Sequence, residues 1–581
     1  MTIRDDSLRL SRRGFLAAGA GVLAATALGG WSPAHALPFG SSGATLPAPP
    51  QFPEGIALFQ QAYQNWSKEI MLDAVWTCTP TSADDVVRLA NWAHANGYTI
   101  RPRGAMHGWT PLTVVNGASV DRVILADTMT HLAGVSVQPG GDPATVTAGA
   151  GATLDAITTA LQEHGLGWAN LPAPGVLSIA GSLAVDAHGA ALPADGEDPV
   201  PGNTFGSLSN LVTEMTAVVW TGSEYGLRTF RRSDSDITAL LTNLGRTFVT
   251  SVTMQAGPNA RMRCRSYTDI DWRELFAPAG ASGRTFESFV RSDGRAEAIW
   301  YPFTDKPWMK VWSIAPEKPA ASREVTGPYN YPFSDNVPEP ITDLLGQITA
   351  GNTSIAPAFG QTYYGVTVAG LAATNSSDIW GWSKDLQFYI KATTLRLTEG
   401  GGAVLTSRAN IANVIHDFTH WFHERIEHYR SLGQYPLNGP VEIRCCGLDQ
   451  PGDVRVPSAG PPTISAMRPR PDHPEWDTAI WLNVLGVPGT PGMFAFYREM
   501  EQWMRQRFAG GDSTFRPEWS KGWAFGPDLP YTDDSILAGA LPDTYRQGVP
   551  ADENWDSARQ VFNRLDPHRV FSNSFLDRLL P

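Results

Sequence analysis

Between residues 99 and 255 the chain sets five glycine- and serine-bearing turns among strand-like and helical stretches, which limits its architecture more than any other feature. They read RPRGAMHG (101–108), VTAGAGATLDAI (146–157), SIAGSLAVDAHGA (178–190), NTFGSLSNLVTEMTAVVW (203–220) and LGRTFVTSVTMQ (244–255). A helical stretch over 82–96 shows apolar Val86, Leu89, Ala90, Trp92 and Ala93 at helical spacing. Strand-like runs lie at 99–101, 123–125, 135–137 and 144–148, a helical run at 154–164, and further strands at 212–221 and 247–255. The alternation predicts an α+β fold. Small residues at its turns let backbone amides approach whatever is bound there.

With 581 residues the chain exceeds one core of ordinary size, so two domains are the default. A formal net charge of −13 argues against nucleic acid as a partner and gives no support for electrostatic docking on anionic lipid. Residues 1–36 read as a removable twin-arginine signal: SRRGFL (11–16), a short apolar run over 17–28, then Ala34-His35-Ala36. The G-x-G-x-x-G/A match at 19–24 falls inside that signal and carries no dinucleotide-binding meaning. Gly149-Ala150-Gly151 is a second partial match, but Leu154 stands at its third position, so a Rossmann reading is weak. Four cysteines without a C-x-x-C pair make no disulfide framework, and Cys445 and Cys446 read as buried thiols.

The five turns, in this order and spacing, resemble the FAD-binding domain of the vanillyl-alcohol oxidase family. The resemblance implies a two-subdomain FAD-binding domain joined to an α+β substrate domain with a large antiparallel sheet. It assigns Arg103, Gly104, Ala105, Met106, His107 and Gly108 to a first phosphate-contacting turn. A second comprises Ser178, Gly181, Ser182, Asp186, His188 and Gly189, and Val249 and Val252 stand on the adenine side. His107 occupies the position that in this family often bonds the flavin 8α-methyl. With no cysteine in 171–190, a single histidyl link is implied.

After residue 255 the chain becomes rich in Trp, Tyr, Phe and Pro, as in YPFTDKPWMKVWSIAPEKP and QTYYGVTVAG. Such a composition fills ordinary cores, and beside a flavin it also builds an oily pocket. This segment, behind this FAD domain and signal, resembles the covalent-flavin (type II) cholesterol oxidases. That implies oxidation of a sterol 3β-hydroxyl to a ketone, reduction of O2 to H2O2, and movement of the Δ5 double bond to Δ4.

Candidate chemistry lies in PVEIRCC (440–446), where a strand would put Glu442 and Arg444 on one face. That pair is either an ordinary half-exposed one or a site pair. Glu297 in RAEAIWYPF, Asn483 in AIWLNVLG and Lys521 between two tryptophans are further candidates, each with an ordinary strand or loop reading. His416, His420 and His423 share a helix, but Asp417 stands where a zinc-protease motif needs Glu. The apolar periodicity reads as an amphipathic helix, and no metal is expected.

The expected organisation is a signal at 1–36, an FAD-binding domain at 37–260 and a sterol domain at 261–555. A tail at 556–581 then returns to the FAD domain, with Asn573 as its residue of interest. Competing readings are an oxidase of a polyol, sugar or phenol, or an exported sterol binder without turnover. Contact with membrane is expected to be transient, because the substrate lives in lipid.

Overall fold

The computed structural model describes residues 46–335 and 339–581. The twin-arginine segment and its Ala34-His35-Ala36 site lie outside the described residues.

Three sheets organise the chain. The first contains β1 (Ala57–Gln64), β2 (Met71–Thr79), β3 (Thr99–Arg103) and β4 (Val123–Asp127) in the order β1-β2-β4-β3. The β2/β4 and β3/β4 pairs are parallel. The Ala83–Asn96 helix starts at Ser82, whose side chain accepts from the Asp85 amide, and buries Val86, Leu89, Ala90, Trp92 and Ala93. These are the apolar positions read from the sequence. Strands β1 and β2 were not anticipated there: β1 is largely exposed or half-buried, and its apolar residues show little of the alternation that marks a strand.

The second sheet holds β5 (Val135–Gln138), β6 (Ala144–Gly149), β7 (Leu166–Gly167), β8 (Val212–Trp220), β9 (Tyr225–Arg231) and β10 (Phe248–Pro258). Its order is β5-β6-β10-β8-β9, with β7 on β10. The helices Leu154–Gln162 and Ile179–Ala184 pack their apolar residues into one cluster with it.

The third is a nine-stranded sheet of β11 (Arg261–Tyr267), β12 (Arg295–Trp300), β13 (Trp308–Ile314), β14 (Arg323–Glu324), β15 (Asp378–Trp382), β16 (Thr398–Thr406), β17 (Val441–Gly447), β18 (Thr478–Gly486) and β19 (Ser513–Pro517). Its order is β14-β15-β11-β13-β12-β17-β18-β16-β19. All pairs but β14/β15 are antiparallel. This is the large antiparallel sheet expected. Strand alternation divides its residues: Ala296, Ala298, Val441, Ile443, Cys445, Ile480 and Leu482 pack with the helices Ile411–Ser431 and Met493–Arg507. The intervening residues, among them Glu297, Glu442, Arg444 and Asn483, face the other way.

Residues ahead of the 556–581 tail also pack with the second sheet. Trp519, Trp523, Ile536, Leu541, Tyr545 and Trp555 already belong to the core of the second sheet, together with Phe562, Phe575 and Leu576. Tryptophans that read as sterol-domain residues by composition are thus buried against the second sheet.

Candidate functional site

A cavity of about 340 Å³ runs along the seam between the first two sheets and the third. One end is built from turns. The loop after β3, residues 104–108, crosses the Ser178 end of the Ile179–Ala184 helix so closely that a Cβ on Gly104 would stand 2.2 Å from Ser178 Oγ. A Cβ on Gly181 would stand 2.9 Å from the same oxygen. Met106 takes φ +57° in the middle of the loop. Among the described residues, no backbone amide from Gly104 to Gly108 donates to a protein acceptor. Small residues, a left-handed turn and a run of free amides on a cavity wall suit an anionic, elongated group such as a flavin dinucleotide.

His107 lies on the face of Trp66, with ring centroids 3.9 Å apart. Arg396 covers the Trp66 ring at 5.1 Å. Burial lowers the imidazole to about pKa 3, and the charges of Lys521 and Arg396 add to that. The ring is therefore neutral at physiological pH, with a nitrogen lone pair available for bonding.

The opposite wall carries the charge. Arg444 on β17 reaches Glu442 at 3.0 Å, with Glu399 at 3.8 Å and Glu297 at 3.9 Å. Lys521 Nζ donates to Glu399 Oε2 at 2.5 Å and stands 4.1 Å over the Trp109 ring. Glu518 accepts from Asn483 Nδ2 at 2.8 Å and faces His188 at 3.9 Å, and the His188 ring stacks on Trp481 at 3.8 Å.

The four carboxylates do not titrate alike. Burial raises Glu442 to about 7, with Glu399 and Glu297 adding and Arg444 opposing. Burial also raises Glu399, against the pull of Lys521. Burial alone would raise Glu518, but Lys521, the His188 contact and Arg444 hold it down at about 2. Glu297 is likewise held below the usual carboxylate range, because Lys310, Arg444 and Tyr389 outweigh its burial. Ionised and protonatable carboxylates thus share one arginine, an arrangement suited to moving a proton. The lining also includes the apolar and aromatic side chains of Ile299, Tyr301, Trp308, Tyr331, Tyr363 and Leu485.

Residues 261–581 match the family model described as cholesterol oxidase, substrate-binding, and residues 76–224 match the FAD binding domain model. The chain belongs to the cholesterol oxidase family. A cholesterol oxidase from B. sterolicum is 72% identical, covers 93% of this chain and 100% of its own, and superposes with a TM-score of 0.92. A histidine-to-alanine variant of cholesterol oxidase from Brevibacterium sterolicum gives the same figures. A solvent-stable cholesterol oxidase is 47% identical, covers 92% of this chain and 100% of its own, with a TM-score of 0.91. Comparison with curated proteins gives no match.

In this cholesterol oxidase family member, Gly104, Ala105, Met106, His107, Gly108, Ser178, Gly181, Ser182, His188 and Val249 line the cavity, with Glu442, Arg444 and Lys521 across from them. The other candidates lie behind the wall. Arg103 turns its guanidinium to Asp127 at 2.8 Å and is not part of the lining. Asp186 is fully buried at φ +46° and accepts from the Ala466 amide, so it ties the two regions together. Gly189 lines a separate small cavity, where a Cβ would meet Asn170. Val252 is in the core of the second sheet. Glu297 and Asn483 stand one residue back, each bonded to a charged neighbour. Asn573 Nδ2 donates to the carbonyls of Pro111, Leu112 and Thr113, fixing the loop that follows His107.

Four residues escaped the sequence reading: Glu399, Glu518, Lys310 and Tyr389. Glu518 left a usable signal, since it lies three positions before Lys521 in PEWSKGW. Glu399, ahead of three glycines, and Lys310, between Met309 and Val311, left only the oddity of a charge in an apolar strand. The histidine helix holds no metal cluster. His416 bonds the Phe276 carbonyl and His420 the His416 carbonyl, and no group of three ligating side chains gathers among the described residues.

Proposed function

We propose that this chain oxidises the 3β-hydroxyl of a cholesterol-like sterol to a ketone, passing the electrons to O2 to give H2O2, and then moves the Δ5 double bond to Δ4. The observation that carries this reading is the cavity itself: the glycine turns, the Glu442–Arg444 pair and a largely aromatic and aliphatic wall line one and the same space. A polyol or sugar would need that wall to offer hydrogen-bonding partners along its length.

FAD, when bound, accepts the hydride from the carbinol carbon and delivers the electrons to oxygen. Gly104, Ala105, Met106, His107, Gly108, Ser178, Gly181, Ser182 and Val249 would hold it, and His107 would carry a single covalent bond to it. Arg444 stabilises negative charge developing on the substrate oxygen. Glu442, poised near neutrality, takes and returns the proton that travels between ring positions during isomerisation. Glu297 stays ionised and keeps Arg444 charged.

Export by the twin-arginine route, with FAD loaded before passage, fits the SRRGFL segment. Contact with a lipid surface would be transient: among the described residues no helix is long and apolar enough to cross a membrane. Exchange of Arg12 and Arg13 for Lys is expected to retain the chain in the cytoplasm, as read by cell fractionation.

The deciding test is spectroscopic. Cholesterol added without oxygen is expected to bleach the flavin absorbance, and air to restore it with H2O2 formed. Bleaching by a sugar alcohol but not by cholesterol would refute the sterol assignment. For the covalent bond, the denatured chain on a gel is expected to fluoresce under ultraviolet light, and His107→Ala to be dark. Release of all flavin from the wild-type chain by acid would overturn that bond.

A further inference from the structure

Lys310 is a buried charge that the chemistry above leaves unused. It stands in the middle of β13 with no solvent exposure, and its Nζ donates to Glu297 Oε2 at 3.1 Å. Its other neighbours are ring faces: Tyr389 at 3.0 Å, Trp312 at 4.7 Å, Trp308 at 5.2 Å and Tyr331 at 5.3 Å to the centroids. It is absent from the cavity lining. An ammonium walled in by aromatics with one carboxylate gains little over a well-packed apolar side chain, so stability alone does not account for it.

Sheet register supplies another account. Lys310 on β13 lies opposite Glu297 on β12, and Glu297 lies opposite Arg444 on β17. The three form a cation–anion–cation row across the sheet. Tyr389 donates to both oxygens of Glu297 from above the row. Arg444 sits at the open end, 3.9 Å from Glu297 but 3.0 Å from Glu442. Without the ammonium, Glu297 would be a buried carboxylate with Arg444 as its nearest cation. Attraction at that depth is strong and unscreened, so Arg444 would be drawn inward along the row.

We propose that Lys310 is a positioning residue: it neutralises Glu297 from behind the wall and so leaves Arg444 committed to Glu442 at the cavity. This rests on the reading of Glu442 and Arg444 as site residues. Lys310 touches neither substrate nor flavin, and its influence passes through Glu297.

Two measurements test it. In a crystal structure of Lys310→Met, Arg444 is expected to have moved from Glu442 towards Glu297, whatever the substrate proves to be; an Arg444–Glu442 pair kept at its wild-type spacing would overturn the proposal. In steady-state kinetics, Lys310→Met is expected to lower kcat by about tenfold or more with KM nearly unchanged, the mark of a misplaced proton-handling group rather than a lost binding surface. Glu297→Gln and Glu297→Gln/Lys310→Met should then turn over alike, because the lysine has nothing left to neutralise. The double variant buries neither charge, so it keeps the comparison available if Lys310→Met alone does not fold. A further kcat loss on adding Lys310→Met to Glu297→Gln would overturn the proposal. If instead the wild-type chain turns over no sterol, the substrate assignment fails while the structural measurement still decides the role of Lys310.

Discussion

Glu442 and Glu518 belong to one charged cluster, yet their environments drive them apart, to about 7 and about 2. Glu442 keeps its proton below neutrality and releases it above, so a step that needs it as a base accelerates as the pH rises through about 7. Glu442→Gln is expected to remove that limb and slow double-bond migration about 100-fold, read as the rise of conjugated-enone absorbance while oxidation is followed separately as H2O2. The same shifts act on folding with opposite signs. Between the ordinary 4.5 and about 7, the folded chain retains a Glu442 proton that the unfolded chain has released, so this group's contribution weakens as the pH rises across that window. Glu518 contributes fully above 4.5, and its contribution is lost as acid carries the pH down towards about 2. Glu442 and Arg444 were legible in the sequence, because two charges alternating with Val, Ile and Cys belong to one strand. Lys310, Glu399 and Glu518 were not read: Glu399 and Glu518 join the cluster through contacts between segments far apart in the chain, while Lys310 showed only as a charge in an apolar strand.

At the scale of elements, the flavin cradle depends on two turns meeting without side chains between them. Gly104→Ala places a Cβ against Ser178 Oγ, and Gly104→Ala/Ser178→Gly removes the obstruction. Expected is a fall in the FAD content of the purified single variant, with substantial recovery in the double, both measured by absorbance ratio. Equal FAD content in all three proteins would show that the contact plays no part. This turn could be read from the sequence because its residues are contiguous and glycines announce a close approach. Asp186 sits in an equally glycine-rich stretch but turns away to cap the Ala466 amide. Local composition marked the right loop there without revealing which of its side chains faced the cavity. Strand β1 marks the opposite limit, where a largely exposed stretch without alternation forms a strand because β2 supplies the partner.

For the molecule as a whole, the returning segment does more than cover the first region. Asp566 accepts from Tyr225 Oη at 2.5 Å and pairs with the buried Arg246 at 2.9 Å, and the Phe571 carbonyl accepts from the buried Arg101. A chain ending at Leu565 leaves both guanidiniums in the interior without these partners, a loss of about 3–5 kcal/mol for the broken pair alone. Little or no soluble, flavin-containing protein is expected from it, as read by soluble yield and thermal melting. A truncated chain that melted cooperatively near the wild-type temperature would contradict this. The packing of Trp519, Trp523 and Trp555 with the second sheet was not legible, because a tryptophan-rich stretch looks the same in either core.

Among the described residues the polypeptide passes between its two regions at two short crossings. Strand β10 ends at Pro258 and β11 begins at Arg261, and the way back is equally abrupt, with Trp519 buried two residues beyond Pro517. At the second crossing Trp109 and Thr110 bond the backbone of Trp519, Ser520 and Lys521. The loop that follows His107 is thereby fastened to this crossing through the Trp109 amide and the Thr110 hydroxyl. Lys521, which leaves the same crossing to pair with Glu399, ties it to the charged wall as well. One short segment thus joins the glycine turn to the side of the cavity that holds Glu442 and Arg444, so a substitution that loosens Thr110 would be felt on both sides at once.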